Sequence, residues 1–216
     1  MTNMMDAKDL MKKAFSAGVA RVQPTRCLPP DLTGAGAPTG VIAMGKAAVA
    51  MIEAALPRLG APPLFAFAVA PYGHALHHAA PSVEIIEASH PHPDENSLRA
   101  GARALTLAAT LGPGQRLLAL VSGGGSSTLC APAPGVRFEE KRAAIAALHR
   151  AGAPIGDINA VRSALSSVKS GRLGAAAKGA FVQSFIISDV PGDDPASVAS
   201  GPTVRARKTD DATQII

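Results

Sequence analysis

A serine-bracketed triple glycine, Ser122-Gly123-Gly124-Gly125-Ser126-Ser127, follows directly on the apolar run from Leu117 to Val121. Glycines let backbone N–H groups turn toward one point, and the flanking hydroxyls add donors, so a strand emptying into such a loop is suited to hold an anion such as phosphate. The same six residues also suit a tight turn that binds nothing. Lys46 stands after a second apolar run, Gly40 to Met44. A lysine at a strand-to-helix junction can reach a phosphate or carboxylate with the positive end of the helix behind it, or simply stand in solvent. The segment Gly40 to Ala47 has the spacing of a P-loop up to its final residue. Its intervening residues are an apolar strand, however, and Ala47 lacks the hydroxyl that holds magnesium, so it is not one. Gly34-Ala35-Gly36 precedes a strand instead of following it, which argues against ordinary NAD binding.

Two further groups could do chemistry. Asp189, Asp193 and Asp194 follow an apolar run and are separated by Val190-Pro191-Gly192. That turn could converge Asp189 and Asp193 on a hard cation, or the aspartates could be turn and cap residues. Arg162, Lys169 and Arg172, among Ser163, Ser166 and Ser167, form a cationic cluster able to neutralise phosphate or clamp a carboxylate, or a solvated helix face. His74, His77, His78, His90 and His92 lack the cysteine or carboxylate that would complete a closed zinc set. The segment Ser89 to Glu95 reads as a strand-end loop in which Asp94, Glu95 or Asn96 caps a helix while His90 remains available to a ligand.

Alternating elements must position these residues. Strands are expected over 40–44, 64–70, 83–88, 117–121 and 181–188, with helices near 10–22, 46–56, 96–111, 138–150 and 158–168. The pattern implies an α/β, Rossmann-like fold, a mostly parallel sheet with helices on both faces. Ligands of such sheets bind at the carboxyl ends of the strands, where the polar, glycine-bearing segments fall.

With 216 residues, 47% hydrophobic and 17% charged, the chain reads as one globular domain, and 3% aromatics leaves the core to Ala, Leu, Val and Ile. The net charge of +5 comes from basic residues spread along the chain, which suits a mildly basic solvated surface or small anionic ligands and gives no nucleic-acid stripe. Cys27 and Cys130 form no framework, and no apolar stretch approaches a membrane span, so a cytoplasmic protein is expected.

GKAA at 45–48, SHPHPDE at 89–95, SGGGSS at 122–127, NAVRSALSSVKSGRL at 159–173 and SDVPGDDPASVASGPT at 188–203 together resemble the N-terminal domain of the type II glycerate 2-kinases, the MOFRL-containing family. The match runs from about residue 5 to the C-terminus, and some members have been labelled hydroxypyruvate reductases. Three positions depart from the family pattern: Arg162-Ser163-Ala164-Leu165-Ser166 stands for R-K-H-L-S, and Ser170 stands where glycine is common.

The resemblance implies that residues 1–216 are the N-terminal domain, truncated before a smaller C-terminal MOFRL domain. The two would form a cleft in which ATP and Mg²⁺ phosphorylate the 2-hydroxyl of glycerate. Lys46 matches the family's active-site lysine. On matched positions, Ser122, Gly123, Gly124, Gly125 and Ser126, with His90 and Asp94, would hold phosphate or substrate. Arg162, Lys169 and Arg172 would supply positive charge, and Asp189 with Asp193 would face the metal. Expected partners are glycerate or a similar 2-hydroxy acid and a second domain or second copy of the chain. The alternatives are a binding remnant dependent on a partner domain and, on weaker grounds, an NAD(P)H-dependent hydroxypyruvate reductase.

Overall fold

A computed structural model describes residues 7–75 and 80–205. Five strands form one sheet: β1 (Thr39–Met44), β2 (Phe65–Pro71), β3 (Glu84–Ala88), β4 (Arg116–Ser122) and β5 (Phe181–Ile187). Their order is β3-β2-β1-β4-β5 and every pairing is parallel. The expected α/β architecture is therefore present, with a sheet that is wholly parallel. The two central strands, β1 and β4, are buried along their whole length, which is why they read as unbroken apolar runs.

The helices are α1 (Ala7–Arg21), α2 (Pro24–Cys27), α3 (Ala48–Ala55), α4 (Glu95–Ala109), α5 (Gly125–Thr128), α6 (Phe138–Arg150), α7 (Ile155–Ala164) and α8 (Arg172–Ala176). Alternation along the strands splits the core in two. Ile42, Met44, Phe67, Val69, Leu117, Ala119 and Val121 pack with Ala100, Ala104 and Leu107 of α4 and Leu173 of α8. Val41, Ala43, Ala66, Ala68, Leu118 and Leu120 pack on the other face with Val49, Met51, Ile52 and Ala55 of α3. Alanine at the contacts lets the helices approach closely, and a Cβ on Gly101 of α4 would collide with the Cys130 carbonyl.

One helix departs from the sequence expectation, and two further features were not anticipated by it. The helix expected over 158–168 occupies Ile155–Ala164 instead. Its continuation is lost to the loop before α6: Ser166 bridges to Pro132, and the Ser167 N–H donates to the Ala131 carbonyl at 2.8 Å. Arg116, at the start of β4, is 1% exposed and donates to Thr39, Gln183 and the Leu32 carbonyl, tying the proline-rich connector to the base of the sheet. Finally, α1 buries none of its residues, and its Phe15 is 74% exposed.

Register brings the strand ends level. Met44 pairs with both Val69 and Val121, and Ser122 pairs with Ile187. The chain therefore leaves β1, β2, β4 and β5 along one edge. Connections diverge between β1 and β4, the point at which a doubly wound sheet opens a crevice.

Candidate functional site

At that crevice the loop after β1 is locked to the loop after β4. Gly45 adopts φ +101, and a Cβ there would run into the backbone carbonyl and hydroxyl of Ser122. The Lys46 N–H donates to the Gly123 carbonyl at 2.8 Å, and the Ala47 N–H donates to Ser122 Oγ at 3.0 Å. That hydroxyl in turn donates to the Met44 carbonyl at 3.1 Å. Ser122 is thus a buried clasp between the two central strand ends.

Around this clasp stand several of the side chains whose chemistry the sequence singles out. Lys46 Nζ lies 3.5 Å from Asp189 Oδ2, with both side chains half-exposed at 50% and 51%. The Asp189 carboxylate lies directly over Gly123. A Cβ on Gly124 would come within 2.8 Å of His90 Cδ2 and 3.2 Å of Lys46 Cγ. Lys46, His90, Asp189 and the glycine loop, contributed from the ends of four segments, therefore meet at one rim. Partial desolvation, assisted by the Lys46 charge and opposed by Asp189, holds the His90 imidazole below its ordinary pKa, which favours the neutral ring near pH 7. The exposed His74 stands beside the rim, its Nδ1 3.0 Å from the Lys46 carbonyl oxygen.

Behind the rim, Ser126 Oγ meets Ser200 Oγ at 3.0 Å, and Gly124 starts α5 with φ +85. Lys169 has a different place from the open phosphate contact expected of it. It is 1% exposed and donates to the carbonyls of Ser126 at 2.7 Å and Leu129 at 3.4 Å, bracing α5 from beneath. Desolvation, then repulsion from Lys141, pushes its pKa down to about 7. Arg172 likewise serves the framework, donating to the Ser163 carbonyl at 2.7 Å and the Lys169 carbonyl at 3.3 Å. Asp94 is the residue that caps α4: it accepts from the Ser97 N–H at 2.9 Å and from Tyr72 at 2.7 Å, and it positions the loop bearing His90 through Ser89 N–H. Its pKa is depressed by those hydrogen bonds, which outweigh the desolvation that leads the opposing influences.

Asp193 sits on an exposed turn with φ +51, while Asp194 accepts from Ser197 Oγ at 2.7 Å as a turn residue. Among the described residues no group of three or more His, Cys, Asp or Glu is placed to hold a metal, and His77 and His78 lie outside them. Arg162 does line a cavity of about 600 Å³ beside Gly124 and His90. Lys141, Arg142 and His149 of α6 line it too, and nothing in their spacing marked them, because cations on an amphipathic helix read as solvent-facing.

Among the described residues no helix is long and apolar enough to cross a membrane. In sequence, a protein of Agrobacterium vitis that carries the name hydroxypyruvate reductase is 41% identical over 94% of this chain and 46% of its own length. A D-glycerate 2-kinase of Thermotoga maritima is 41% identical over 75% of this chain and 39% of its own. A crystal structure of a glycerate kinase, also from Thermotoga maritima, superimposes with a TM-score of 0.87 at 36% identity, covering 96% of this chain and 50% of that one. The chain thus spans about half the length of the relatives it matches, and the resemblance to the glycerate 2-kinases is borne out. Residues 10–216 match the family described as a domain of unknown function, DUF4147, and the chain belongs to that family.

Proposed function

We propose that this chain forms the phosphate-handling half of an ATP-dependent glycerate 2-kinase, which transfers the terminal phosphoryl group of ATP to the 2-hydroxyl of glycerate. The observation that carries the reading is the convergence of Lys46, the glycine loop, His90 and Asp189 at the switch point of a parallel sheet. Phosphoryl transfer asks a protein for in-line positioning and charge neutralisation rather than for covalent help, and this set supplies both. Similarity to a D-glycerate 2-kinase and to a solved glycerate kinase supports the same reading.

In this reading Lys46 neutralises the phosphoryl group in flight, while the backbone N–H groups around Gly124 and the Ser126 hydroxyl hold its oxygens. Arg162 supplies charge from the cavity side. Lys169 and Arg172 act through the loop and the end of α7 that they brace. A neutral His90 near the rim is available to accept the proton of the substrate hydroxyl. The donor set suits Mg²⁺, which takes one or two carboxylates plus phosphate oxygens. Asp189 would be the first carboxylate and Asp193 the second, and the bound ion would neutralise charge on the ATP oxygens. A second wall, from a further domain or another copy of the chain, would close the crevice over the substrates in a cytoplasmic enzyme.

The half-length match favours a second reading, in which the chain by itself binds ligand without turnover. A reductase is disfavoured by the turn after β1, where Gly45-Lys46-Ala47 offers none of the glycine spacing that admits a dinucleotide pyrophosphate. A coupled assay of ATP-dependent glycerate phosphorylation, with Lys46→Ala as the control, tests the proposal. Phosphorylation that collapses in the variant supports it. Activity indifferent to Lys46→Ala removes that lysine from the mechanism, and NADH oxidation by hydroxypyruvate without any phosphorylation sinks the kinase reading.

A further inference from the structure

The cavity beside the rim has Gly124, Ser126 and Ser127 on one side and Lys141, Ile145 and His149 of α6 on the other. These three α6 positions are four residues apart and share a helix face. Arg162 and Cys130 complete the wall nearest the core. Lys141 is 3% exposed, and its ammonium donates to the carbonyls of Arg162 and Leu165, two of the three bonds it can make. Arg162 gives one guanidinium N–H to Asn159 Oδ1 at 3.0 Å; the rest of its fork has no partner among the described residues. Lys169 lies behind them, and among the described residues no carboxylate pairs with any of the three.

Cations so deeply placed are ordinarily paired. Here burial pushes Lys141 down to about 8, with Cys130 favouring the charged form and Arg162 and Arg172 opposing it. Burial likewise depresses Arg162. Spare donors on the buried Lys141 and the half-buried Arg162 at the edge of one cavity create an electrostatic demand that an oxyanion meets, bidentately at the guanidinium.

We propose that this cavity is a second oxyanion subsite, in which Lys141 and Arg162 take a carboxylate or phosphoryl group while Lys46 and the glycine loop take the group being transferred. The subsite stands on its own geometry; its assignment to the glycerate carboxylate or to an ATP phosphate rests on the kinase reading. Lys141 is the new member, a binding residue from a helix otherwise distant from the rim.

Calorimetric titration of the chain with sulfate, glycerate and ADP separately, at pH 8 in two buffers of different ionisation heat, tests it. Sulfate and glycerate do not titrate there, so an anion that stabilises the Lys141 ammonium draws in a fraction of a proton on binding. Cys130, Arg162, Arg172 and Lys169 face that ammonium, and His90, His92, Glu139, Arg142 and His149 line the same cavity, so the uptake is assigned to Lys141 by its loss in Lys141→Met. Lys141→Met and Arg162→Met should each weaken sulfate by roughly tenfold or more, the scale of a lost charge-assisted hydrogen bond. Parallel weakening of glycerate identifies a carboxylate subsite, and of ADP a nucleotide-phosphate subsite; either supports the proposal. Proton uptake by the unsubstituted chain needs no variant to fold. No proton uptake, with all three affinities within twofold in both variants, overturns the subsite. Absence of phosphoryl transfer in the kinase assay would leave the sulfate result standing, so the two readings fail separately.

Discussion

The carboxylate of Asp189 occupies the space that a Cβ on Gly123 would need. The side chain is half-exposed and its far end can swing away, so Gly123→Ala should cost little stability, within roughly 1 kcal/mol. What it should remove is the 3.5 Å approach to Lys46. Anion affinity should change while the urea midpoint stays nearly fixed. Gly45→Ala is the opposite case, because the obstacle is the Ser122 backbone and φ is +101. About 2–3 kcal/mol of lost stability is expected there, read from the same urea curves.

Ser122→Ala should loosen the crevice without touching any ligand directly. The hydroxyl is 2% exposed and serves both the Ala47 N–H and the Met44 carbonyl, so its removal strands two buried groups. A cost of about 1–3 kcal/mol is expected in chemical denaturation. An unchanged midpoint would show that water takes over both bonds.

Stability should rise with pH between 7 and 9. Lys169 and Lys141 have folded-state pKa values of about 7 and about 8, below the unfolded value of 10.5. In that window the unfolded chain holds protons that the folded chain has released, so raising the pH favours folding by at most about 1.4 kcal/mol per pH unit for each group. Below pH 7 the Lys169 contribution is flat. Cys130, whose thiol is raised by burial, acts the other way above about 9, since the unfolded thiol ionises first. Lys169→Met should flatten the rise, and a variant with the same slope as the parent would contradict the assignment.

Ser170, one of the departures noted in the resemblance, sits at φ +53. Left-handed backbone costs a serine about 1 kcal/mol that glycine does not incur. Ser170→Gly should therefore raise the thermal midpoint by a few degrees, less the added entropy of the unfolded glycine. A drop would mean that the side chain holds the turn through interactions worth more than the strain.

All five strands were legible to within about two residues: β1 and β4, buried along their whole length, and β2, nearly so, read as continuous apolar runs, while the half-buried β3 and β5 were marked by their Ile, Val and Phe content. The glycine loop and Lys46 were legible as well, since their chemistry is written locally and the parallel order places every such loop on one edge. Burial of the cations was not. Lys169 and Arg172 look equivalent in sequence, yet the first lies under α5 and the second is exposed at the end of α7. What separates them is the early end of α7, caused by bonds to residues 131 and 132 more than 30 positions away. Lys141 was invisible because a cation on an amphipathic helix reads as solvent-facing, whereas its ammonium reaches back to the carbonyls of Arg162 and Leu165.

The lock between the turns after β1 and β4, with Asp189 arriving from β5 and His74 from β2, makes the rim a joint product of strands far apart in the chain. A polypeptide in which either flank has peeled away would keep most of its secondary structure and still lose the proposed anion site. On that proposal, ligand affinity should be an all-or-nothing gauge of whether the whole scaffold has assembled, more sensitive than helicity measured by circular dichroism.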